Sequence, residues 1–304
     1  MLTTVRHLLE MIRFSHTVFA LPFALLAAMM AWTTPLPTGV MLPFRALDLV
    51  GILVCMIGAR SAAMAFNRLV DRQFDAANPR TAARHLPAGT LSLPTVILFT
   101  LASSALFIAG TLIFLPNTLP VALSIPVLLF LLGYSYTKRF TSLAHFWLGI
   151  ALALAPLSAW IALRGDYVIN TPSDLIPPTM LGLAVLTWVA GFDMIYACQD
   201  ASFDQSIGLR SIPATLGVTG AFRLAAVCHL LTVVALFVLP FLSPQVPLGW
   251  LYLLSVAIVA ALLIYEHWVV RPTDLARVNL AFFTINAIIS IGLLATSVID
   301  LLWI

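Results

Sequence analysis

The chain has 304 residues, of which 62% are hydrophobic and only 9% are charged. Soluble globular domains carry roughly a quarter charged residues, so this composition excludes a soluble globular protein. The basic residues behind the formal net charge of +3 lie between apolar segments, which argues against nucleic-acid binding. We expect the lipid bilayer to surround the chain, and the sequence implies no protein partner.

Nine apolar windows follow one another along the chain, each close to the ~20 residues that a bilayer-spanning helix requires. They cover approximately residues 17–33, 48–70, 92–113, 120–136, 143–163, 178–199, 213–240, 248–268 and 279–302. The segments between them are short and rich in proline, so no separate soluble domain is expected. The sequence therefore predicts an all-α, polytopic membrane protein that forms a single domain over residues 1–304.

The basic residues predict the orientation in the membrane. If the N-terminus lies in the cytoplasm, the inner segments carry eleven Arg and Lys residues and the outer segments carry two. The inner ones are Arg6, Arg13, Arg68, Arg72, Arg80, Arg84, Lys138, Arg139, Arg210, Arg271 and Arg277, and the outer ones are Arg45 and Arg164. Because positive charge accumulates on the cytoplasmic side of membrane proteins, we expect a cytoplasmic N-terminus in the inner (cytoplasmic) membrane.

The most densely charged stretch is NRLVDRQFDAANPRTAARHLPAG, residues 67–89, at the end of the second window. Asn67, Asp71 and Asp75 follow each other at intervals of four residues, a spacing that places them on one face of a helix. Arg80 and Arg84 lie in the loop that follows. We call Asn67, Asp71 and Asp75 the first acidic ladder.

The same spacing returns in DMIYACQDASFDQSIGLRSIP, residues 193–213, at the end of the sixth window. Tyr196, Asp200 and Asp204 form the second acidic ladder, and Asp193 lies two helical turns before Asp200 on the same face. Arg210 follows in the loop. The two ladders read as a weak internal repeat that places two acidic clusters at one membrane face.

Carboxylates near lipid are costly and usually functional, and like charges four residues apart repel each other. Oxygen ligands without Cys or His favour Mg²⁺, which binds a few carboxylates together with substrate phosphates. Five basic side chains could then bind a diphosphate: Arg80, Arg84, Lys138, Arg139 and Arg210. The sequence indicates a Mg²⁺–diphosphate site between two acidic helix ends; the alternative is an ordinary charged rim of surface ion pairs.

Two further residues allow two interpretations each. Arg60 lies seven residues before Asn67, on the same face and about 10 Å deeper in the membrane. It could form an ion pair with Asp193, or bind the carboxylate of a substrate docked beneath the diphosphate. Tyr134 lies four residues before Lys138 at the end of the fourth window, and this pair could belong to the site or to an interfacial belt.

The remaining polar and aromatic residues give weaker indications. His16 is expected to lie at the interface or to cap a helix rather than to be catalytic, and His85, His145, His229 and His267 show no metal-ligand spacing. The aromatic residues are expected to face lipid or pack in the core, although some could line a tunnel and stabilise a carbocation.

The charged motifs resemble those of a known family. NRLVDRQFDAANPRTAARHLPAG and DMIYACQDASFDQSIGLRS resemble the two signatures of the UbiA superfamily of intramembrane aromatic prenyltransferases, and YSYTKR is similar to its Tyr-x-x-x-Lys-Arg element. The resemblance implies nine transmembrane helices around a central cavity, Mg²⁺ dependence and a polyprenyl diphosphate donor. The implied metal ligands are Asn67, Asp71, Asp75, Asp193, Asp200 and Asp204; the implied diphosphate ligands are Arg80, Arg84, Lys138 and Arg210, with Tyr134 and Tyr196 beside them.

The resemblance leaves the aromatic acceptor open. Arg60 matches an arginine that the hydroxybenzoate-using branch directs at the carboxylate of the acceptor, which implies a 4-hydroxybenzoate-type substrate in quinone biosynthesis. However, His85 replaces a usual proline, and NPRT and FSHTVFALPFAL look closer to the futalosine route to menaquinone, whose enzymes prenylate 1,4-dihydroxy-6-naphthoate. Either Asp200 or Asp75 could accept the phenol proton.

Proteins of other classes also carry intramembrane charges. A secondary transporter is the main alternative, but its site usually lies near the bilayer midplane, whereas both ladders are expected at one surface. A phospho-alcohol transferase would hold its acids in a single segment, and a non-catalytic prenyl-binding protein would not need two acidic ladders. We therefore expect a prenyltransferase.

Overall fold

The computed structural model describes residues 2–12, 19–36 and 38–303. Arg13 and His16, which the sequence analysis named, lie outside these ranges. The described residues form helices, and their only β-type pairing is an isolated bridge between Arg271 and Asp274. The α-helices are α1 (Leu2–Met11), α2 (Leu21–Thr33), α3 (Ala46–Ala77), α4 (Leu93–Thr111), α5 (Leu119–Gly133), α6 (Ala144–Asn170), α7 (Ile176–Ala197), α8 (Ala201–Ser206), α9 (Ile212–Leu242), α10 (Trp250–Val269) and α11 (Asn286–Trp303).

Short helices of other types connect or extend these elements. The 3-10 helices are Leu112–Phe114, Tyr134–Arg139, Pro172–Leu175 and Cys198–Asp200, and a π-helix covers Leu280–Ile285. Two of them fall within segments that the sequence analysis assigned to the site. Tyr134–Arg139 contains the Tyr-x-x-x-Lys-Arg element, and Cys198–Asp200 interrupts the second acidic ladder.

Eight helical segments in the described part of the chain are long and apolar enough to cross a membrane. They are Ala46–Ala77, Leu93–Phe114, Leu119–Arg139, Ala144–Asn170, Pro172–Ser206, Ile212–Leu242, Trp250–Val269 and Leu280–Trp303. They match the second to ninth predicted windows in order, so the all-helical membrane fold is confirmed. The first window coincides with α2, which has 13 residues and is thus only about 20 Å long. The total of nine spans stays a prediction.

Serine and proline define the starts of two long helices. Ser92 precedes α4 and Ser211 precedes α9, and each hydroxyl oxygen accepts a hydrogen bond from the backbone N–H three residues ahead, at 3.3 Å. A proline follows two residues after each serine, in the first turn, where its missing N–H costs nothing. The Ser-x-Pro pattern therefore begins both helices.

The chain folds into two compact units. The first unit comprises Met1–Thr17 and Ala46–Thr137 and contains α1, α3, α4 and α5. Its helices α3 and α4 pack backbone against backbone, because a Cβ atom on Gly58 would lie 2.7 Å from the Phe107 nitrogen. The second unit comprises Val18–Arg45 and Lys138–Ile304. The single domain over the whole chain stays a prediction.

The most deeply packed element of the second unit is α7. In the membrane segment that contains it, Pro172–Ser206, 67% of an apolar window of 18 residues is buried, about twice the fraction in most other spans. Its close neighbours explain this: a Cβ atom on Gly149 of α6 would overlap the Leu186 carbonyl oxygen, and one on Gly191 would overlap the His229 ring of α9. Small residues thus let α6 and α9 approach the helix that carries Asp193 and Tyr196.

Arg164 differs from its expected place in an outer connection. Helix α6 continues to Asn170, so Arg164 lies inside the helix and is only 1% exposed. Its guanidinium donates to both carboxylate oxygens of Asp174, at 2.6 and 2.8 Å, and to three backbone carbonyls. Those carbonyls belong to Ala31, Thr34 and Pro35 at the end of α2. The charge is therefore part of the core of the second unit.

Candidate functional site

The first acidic ladder lies entirely on α3, which runs without interruption from Ala46 to Ala77. Asn67 and Asp71 are neighbours on its surface: the Asn67 amide nitrogen donates to Asp71 Oδ2 at 2.8 Å. This contact is the one expected for side chains four residues apart on a helix. It fixes the orientation of the Asp71 carboxylate without a charged partner from the same ladder.

Asp75 is held by two arginines. Its Oδ1 accepts a hydrogen bond of 2.6 Å from Arg84, and its Oδ2 one of 3.4 Å from Arg68. The Thr81 hydroxyl also donates to the Asp75 carbonyl oxygen at 3.0 Å. The loop after α3 therefore folds back over the helix end, and Asp75, which is 6% exposed, has its charge compensated within the first unit.

The other predicted residues of the first unit lie along the same helix and loop. Arg80 is exposed, and its backbone nitrogen donates to the Asn78 side chain at 2.9 Å. Arg60 is half-buried on α3, two turns before Asn67. Tyr134 is half-buried at the start of the 3-10 helix that ends the span Leu119–Arg139.

The second acidic ladder lies at the end of one helical span, Pro172–Ser206, but not on one uninterrupted α-helix. Helix α7 ends at Ala197, a 3-10 turn follows, and α8 begins at Ala201. The Gln199 side chain donates to the Tyr196 carbonyl oxygen at 3.1 Å, the acceptor that the Asp200 N–H would use in an α-helix. Because a 3-10 turn rotates by about 120° per residue rather than about 100°, the second ladder does not keep the regular register of the first.

Asp204 is the most deeply buried acid of the two ladders, with 3% exposure. Its Oδ2 accepts no hydrogen bond from any described residue. Lys138 Nζ lies 4.0 Å away, a distance that permits electrostatic attraction but is too long for a hydrogen bond. A buried carboxylate oxygen with an incomplete set of partners is a site where a cation is stabilised.

Arg210 and Lys138 are joined through the backbone. The Arg210 backbone nitrogen donates to the Lys138 carbonyl oxygen at 2.7 Å, and the Arg210 guanidinium donates to the Phe140 carbonyl oxygen at 2.9 Å. The loop after α8 is thereby attached to the segment that carries Lys138 and Arg139. Arg139 and Arg210 are exposed, and Lys138 is the cation with a measured distance to the buried Asp204.

These residues fit a divalent cation that shares its coordination with a ligand. Within either unit, the described residues contain no group of three or more His, Cys, Asp or Glu that could hold a metal alone. Mg²⁺ commonly binds one or two carboxylates and completes its shell with water and phosphate oxygens. The Asp204 oxygen without a hydrogen bond, near the buried Asp200, suits that mode. A closed structural metal site is not supported.

Asp193 has a partner that the sequence analysis did not assign to it. Its Oδ2 lies 2.7 Å from Nδ1 of His145, which occupies the first turn of α6. His145 is 0% exposed, and its Nε2 has no hydrogen-bond partner among the described residues. The two residues are 48 positions apart, and neither shows ligand spacing, so only the packing of α6 on α7 could have revealed the pair.

A group of aromatic rings surrounds Tyr196 in the second unit. The ring of Phe282 lies 4.2 Å from that of Tyr196, and Phe19 contacts both Phe282 and Phe283, at 5.5 and 6.5 Å between ring centroids. The π-helix Leu280–Ile285 makes this possible, because its wider turn brings two consecutive phenylalanines towards one neighbour. The faces of such rings attract a positively charged group.

Fold and site together define a multi-pass helical membrane protein whose acidic and basic clusters suit a phosphorylated ligand. A model of the UbiA prenyltransferase family matches residues 20–288. The chain therefore belongs to the UbiA prenyltransferase family and is a prenyltransferase. The transporter alternative is accordingly set aside.

Relatives and solved structures agree with this membership. The chain is 33% identical over 218 residues to a 4-hydroxybenzoate octaprenyltransferase from Tolumonas auensis, which covers 70% of each chain. It is 30% identical over 240 residues to a protein of the same name from Methylobacillus flagellatus, covering 78% of this chain and 77% of the other.

Two solved structures share the fold. The apo structure of a UbiA homologue from Aeropyrum pernix K1 has a TM-score of 0.81 and 33% identity, covering 94% of this chain and 98% of the other. A UbiA homologue from Archaeoglobus fulgidus, bound to GPP and Mg²⁺, has a TM-score of 0.68 at 18% identity, covering 96% and 98%. The second likeness concerns the fold alone.

Proposed function

We propose that this protein transfers a polyprenyl group from polyprenyl diphosphate to a ring carbon of an aromatic hydroxy acid, with Mg²⁺ as the cofactor. The observation that carries the proposal is the buried Asp204 carboxylate, whose Oδ2 accepts no hydrogen bond from the described residues and faces Lys138 at 4.0 Å. Such a site stabilises a cation, and the guanidinium groups of the exposed Arg139 and Arg210 in the same unit can bind an anion. A Mg²⁺–diphosphate supplies both.

In this proposal, residues of both acidic ladders and of the loops that follow them bind the Mg²⁺–diphosphate. The metal ligands that the sequence predicts are Asn67, Asp71, Asp75, Asp193, Asp200 and Asp204, of which Asp193 already contacts His145 at 2.7 Å. The proposed diphosphate ligands are Arg80, Arg84, Lys138, Arg139 and Arg210. When bound, Mg²⁺ neutralises charge that develops on the departing diphosphate. Because Arg84 already binds Asp75 at 2.6 Å, its guanidinium is held in a fixed position and can offer its other N–H groups to a phosphate oxygen.

The chemical step breaks the bond between the allylic carbon and the diphosphate oxygen, and the electron pair leaves with the diphosphate. A ring carbon next to the phenol hydroxyl attacks the allylic carbon, and the ring then loses one proton. Tyr134 and Tyr196 lie beside the proposed diphosphate, and the rings around Tyr196 exclude water from the cationic carbon. Asp200 or Asp75 accepts the proton.

The proposed acceptor is a 4-hydroxybenzoate-type acid whose carboxylate binds Arg60. Curated relatives that are 30–33% identical carry the name 4-hydroxybenzoate octaprenyltransferase, which favours this acceptor. The second candidate is 1,4-dihydroxy-6-naphthoate, because the NPRT and FSHTVFALPFAL motifs look closer to that branch. Both acids offer a carboxylate to Arg60, and the product enters ubiquinone or menaquinone biosynthesis in the inner membrane.

A membrane assay tests the proposal. Purified protein in lipid is given a polyprenyl diphosphate, Mg²⁺ and either 4-hydroxybenzoate or 1,4-dihydroxy-6-naphthoate, and prenylated product is measured by mass spectrometry. We expect product with one of the two acids and none after addition of excess EDTA. Transfer that persists in EDTA would contradict the metal requirement, and absence of product with both acids would contradict the proposed acceptor class.

Substitution of one acid in each ladder extends this test. Asp71→Ala and Asp200→Ala should each lower the turnover by at least about a hundredfold, since each removes a charge that binds the metal. Asp166→Asn, an exposed acid on α6, is the matched control and should retain full turnover. Near-normal turnover in either ladder variant would remove that ladder from the site.

A further inference from the structure

The end of α7 and the 3-10 turn after it carry an open stripe, which we define as Asp193, Tyr196 and Gln199. These three residues are partly exposed, whereas all the remaining residues from Thr187 to Ala201 are buried. Asp193 and Tyr196 are three residues apart within α7 and therefore share one helix face, and Gln199 follows in the 3-10 turn. Because protein covers the other faces of this stretch, the open stripe borders a space that a small molecule can reach.

The deepest member of the open stripe is anchored from behind by a fully buried histidine. His145 Nδ1 lies 2.7 Å from Asp193 Oδ2, and the Asp193 side chain keeps 16% exposure while that of His145 has 0%. No other hydrogen bond to the Asp193 carboxylate is found among the described residues. One carboxylate oxygen is thus held by the core, and the exposed part of the side chain lies on the open side.

Packing alone does not account for this histidine. The His145 Nε2 atom is buried without a hydrogen-bond partner among the described residues, and burial of an unsatisfied polar atom is unfavourable. An apolar side chain of similar size would avoid that cost. The Nδ1 contact to Asp193 is therefore the feature of the ring that requires a histidine at this position.

The position of Asp193 also separates it from the metal ligands. It lies seven residues before Asp200, which corresponds to about 10 Å along a helix. One Mg²⁺ ion holds its ligands at about 2.0–2.1 Å and is not easily shared by carboxylates two turns apart on the same element. Asp193 is thus better placed for a group deeper in the membrane than the diphosphate.

We propose that His145 is a positioning residue that holds Asp193 to accept a hydrogen bond from the hydroxyl group of the aromatic acceptor. Asp193 is then a specificity-determining residue for phenols and does not bind the metal. The inference rests on the proposed function and adds to it the recognition of the acceptor hydroxyl. No covalent step is assigned to either residue.

Three substitutions of His145 separate positioning from packing. His145→Asn places an amide nitrogen close to the Nδ1 position, His145→Gln places it close to the Nε2 position, and His145→Leu removes both. Asp193→Asn is the companion variant, since it keeps the shape of the acid but loses a carboxylate oxygen. Each variant is compared with wild type for thermal unfolding in detergent before any kinetic measurement.

The kinetic measurements separate the three ligands. For wild type and each variant, we would measure the KM for the prenylated hydroxy acid, the KM for polyprenyl diphosphate and the Mg²⁺ concentration for half-maximal turnover. A binding readout without turnover is the shift in unfolding temperature caused by the hydroxy acid alone, or by diphosphate with Mg²⁺.

His145→Leu and Asp193→Asn should raise the KM for the hydroxy acid about 10- to 100-fold, as removal of a positioning partner typically does. They should abolish the stabilisation by that acid and leave the diphosphate KM and the Mg²⁺ requirement close to wild type. His145→Asn should recover most of the acceptor affinity and His145→Gln should not. If His145→Leu does not fold, the difference in acceptor KM between His145→Asn and His145→Gln still tests the positioning role.

Four results would overturn the inference. A raised Mg²⁺ requirement in Asp193→Asn would make Asp193 a metal ligand, and an unchanged acceptor KM in His145→Leu would remove the positioning role. Equal behaviour of His145→Asn and His145→Gln, or a loss of stability without a change in acceptor affinity, would make the histidine purely structural. These outcomes all require an active wild type, whereas an inactive wild type would contradict the proposed function itself.

Discussion

Arg164 and Asp174 show how a single charge becomes part of an apolar core. The carboxylate accepts two hydrogen bonds from the guanidinium and a third from the Trp160 indole at 3.0 Å. The guanidinium also lies over the Trp160 ring, with 4.9 Å between its central carbon and the ring centroid. Each polar atom of the acid is thereby paired, which is the condition under which a buried ion pair is tolerated.

Removal of one member of the Arg164–Asp174 pair should lower the free energy of unfolding more than removal of both members. We expect Arg164→Met to lower the free energy of unfolding by about 3–5 kcal/mol, because it leaves the buried Asp174 charge without its cation. Arg164→Met/Asp174→Leu should recover part of this loss but not all, since the carbonyls at the end of α2 also lose their donor. Thermal unfolding in detergent measures both, and a double variant as unstable as the single one would contradict this account.

Asp204 is the opposite case, a buried acid whose charge is not fully compensated by the protein. We expect Asp204→Asn to raise the stability of the ligand-free protein by about 1 kcal/mol, because a neutral amide costs less to bury than an incompletely paired carboxylate. The same variant should lose prenyl transfer. Unfolding temperatures without Mg²⁺ and diphosphate provide the test, and a clearly destabilised variant would show that Lys138 alone satisfies the acid.

The secondary structure of the two ladders explains which part of the site the sequence could predict. The first ladder rests on spacing within one uninterrupted helix, and its Asn67–Asp71 contact follows from that spacing. The second has the same spacing, but the local Gln199 side-chain bond and a 3-10 turn break it. Spacing therefore predicts neighbours only as long as the helix type is constant.

Helix α10 shows the same dependence on distant residues at its start. Gly249 precedes it and provides no side-chain cap. Instead, Asp300 of α11 accepts hydrogen bonds from the backbone nitrogens of Gly249 and Leu251, the latter at 3.2 Å. Asp300 is 1% exposed, so this carboxylate is a cap that is supplied from 49 and 51 residues away.

Loss of this cap should destabilise the contact between α10 and α11. Asp300→Ala removes the acceptor of two partly buried N–H groups next to the positive end of a helix, and should cost about 2–3 kcal/mol. Asp300→Asn keeps one acceptor oxygen and should cost less. The unfolding temperatures of the two variants provide the measurement, and equal losses would show that shape rather than hydrogen bonding matters.

At the scale of the whole chain, hydropathy predicted the helices well and their partners poorly. Eight of the nine windows correspond to long helices in the predicted order, because about 20 apolar residues have few alternatives to a spanning helix. The pairs His145–Asp193, Arg164–Asp174 and Trp188–Asn286 were not predicted. Each depends on how helices pack, which the periodicity of a single helix does not contain.

The direction in which the chain crosses the membrane is the remaining property of the whole molecule that the charges predict. Ala77 at the end of α3 and Ser206 at the end of α8 are both exposed, and the eleven-to-two distribution of basic residues places both in the cytoplasm. Single cysteines at these positions, in a variant that lacks Cys55, Cys198 and Cys228, should resist an impermeant thiol reagent in intact cells and react after the cells are opened. Thr38→Cys, exposed between α2 and α3, is the control on the opposite side and should react in intact cells. Labelling of Ala77→Cys or Ser206→Cys from outside would invert the orientation and would place the diphosphate site on the face where the charge distribution does not put it.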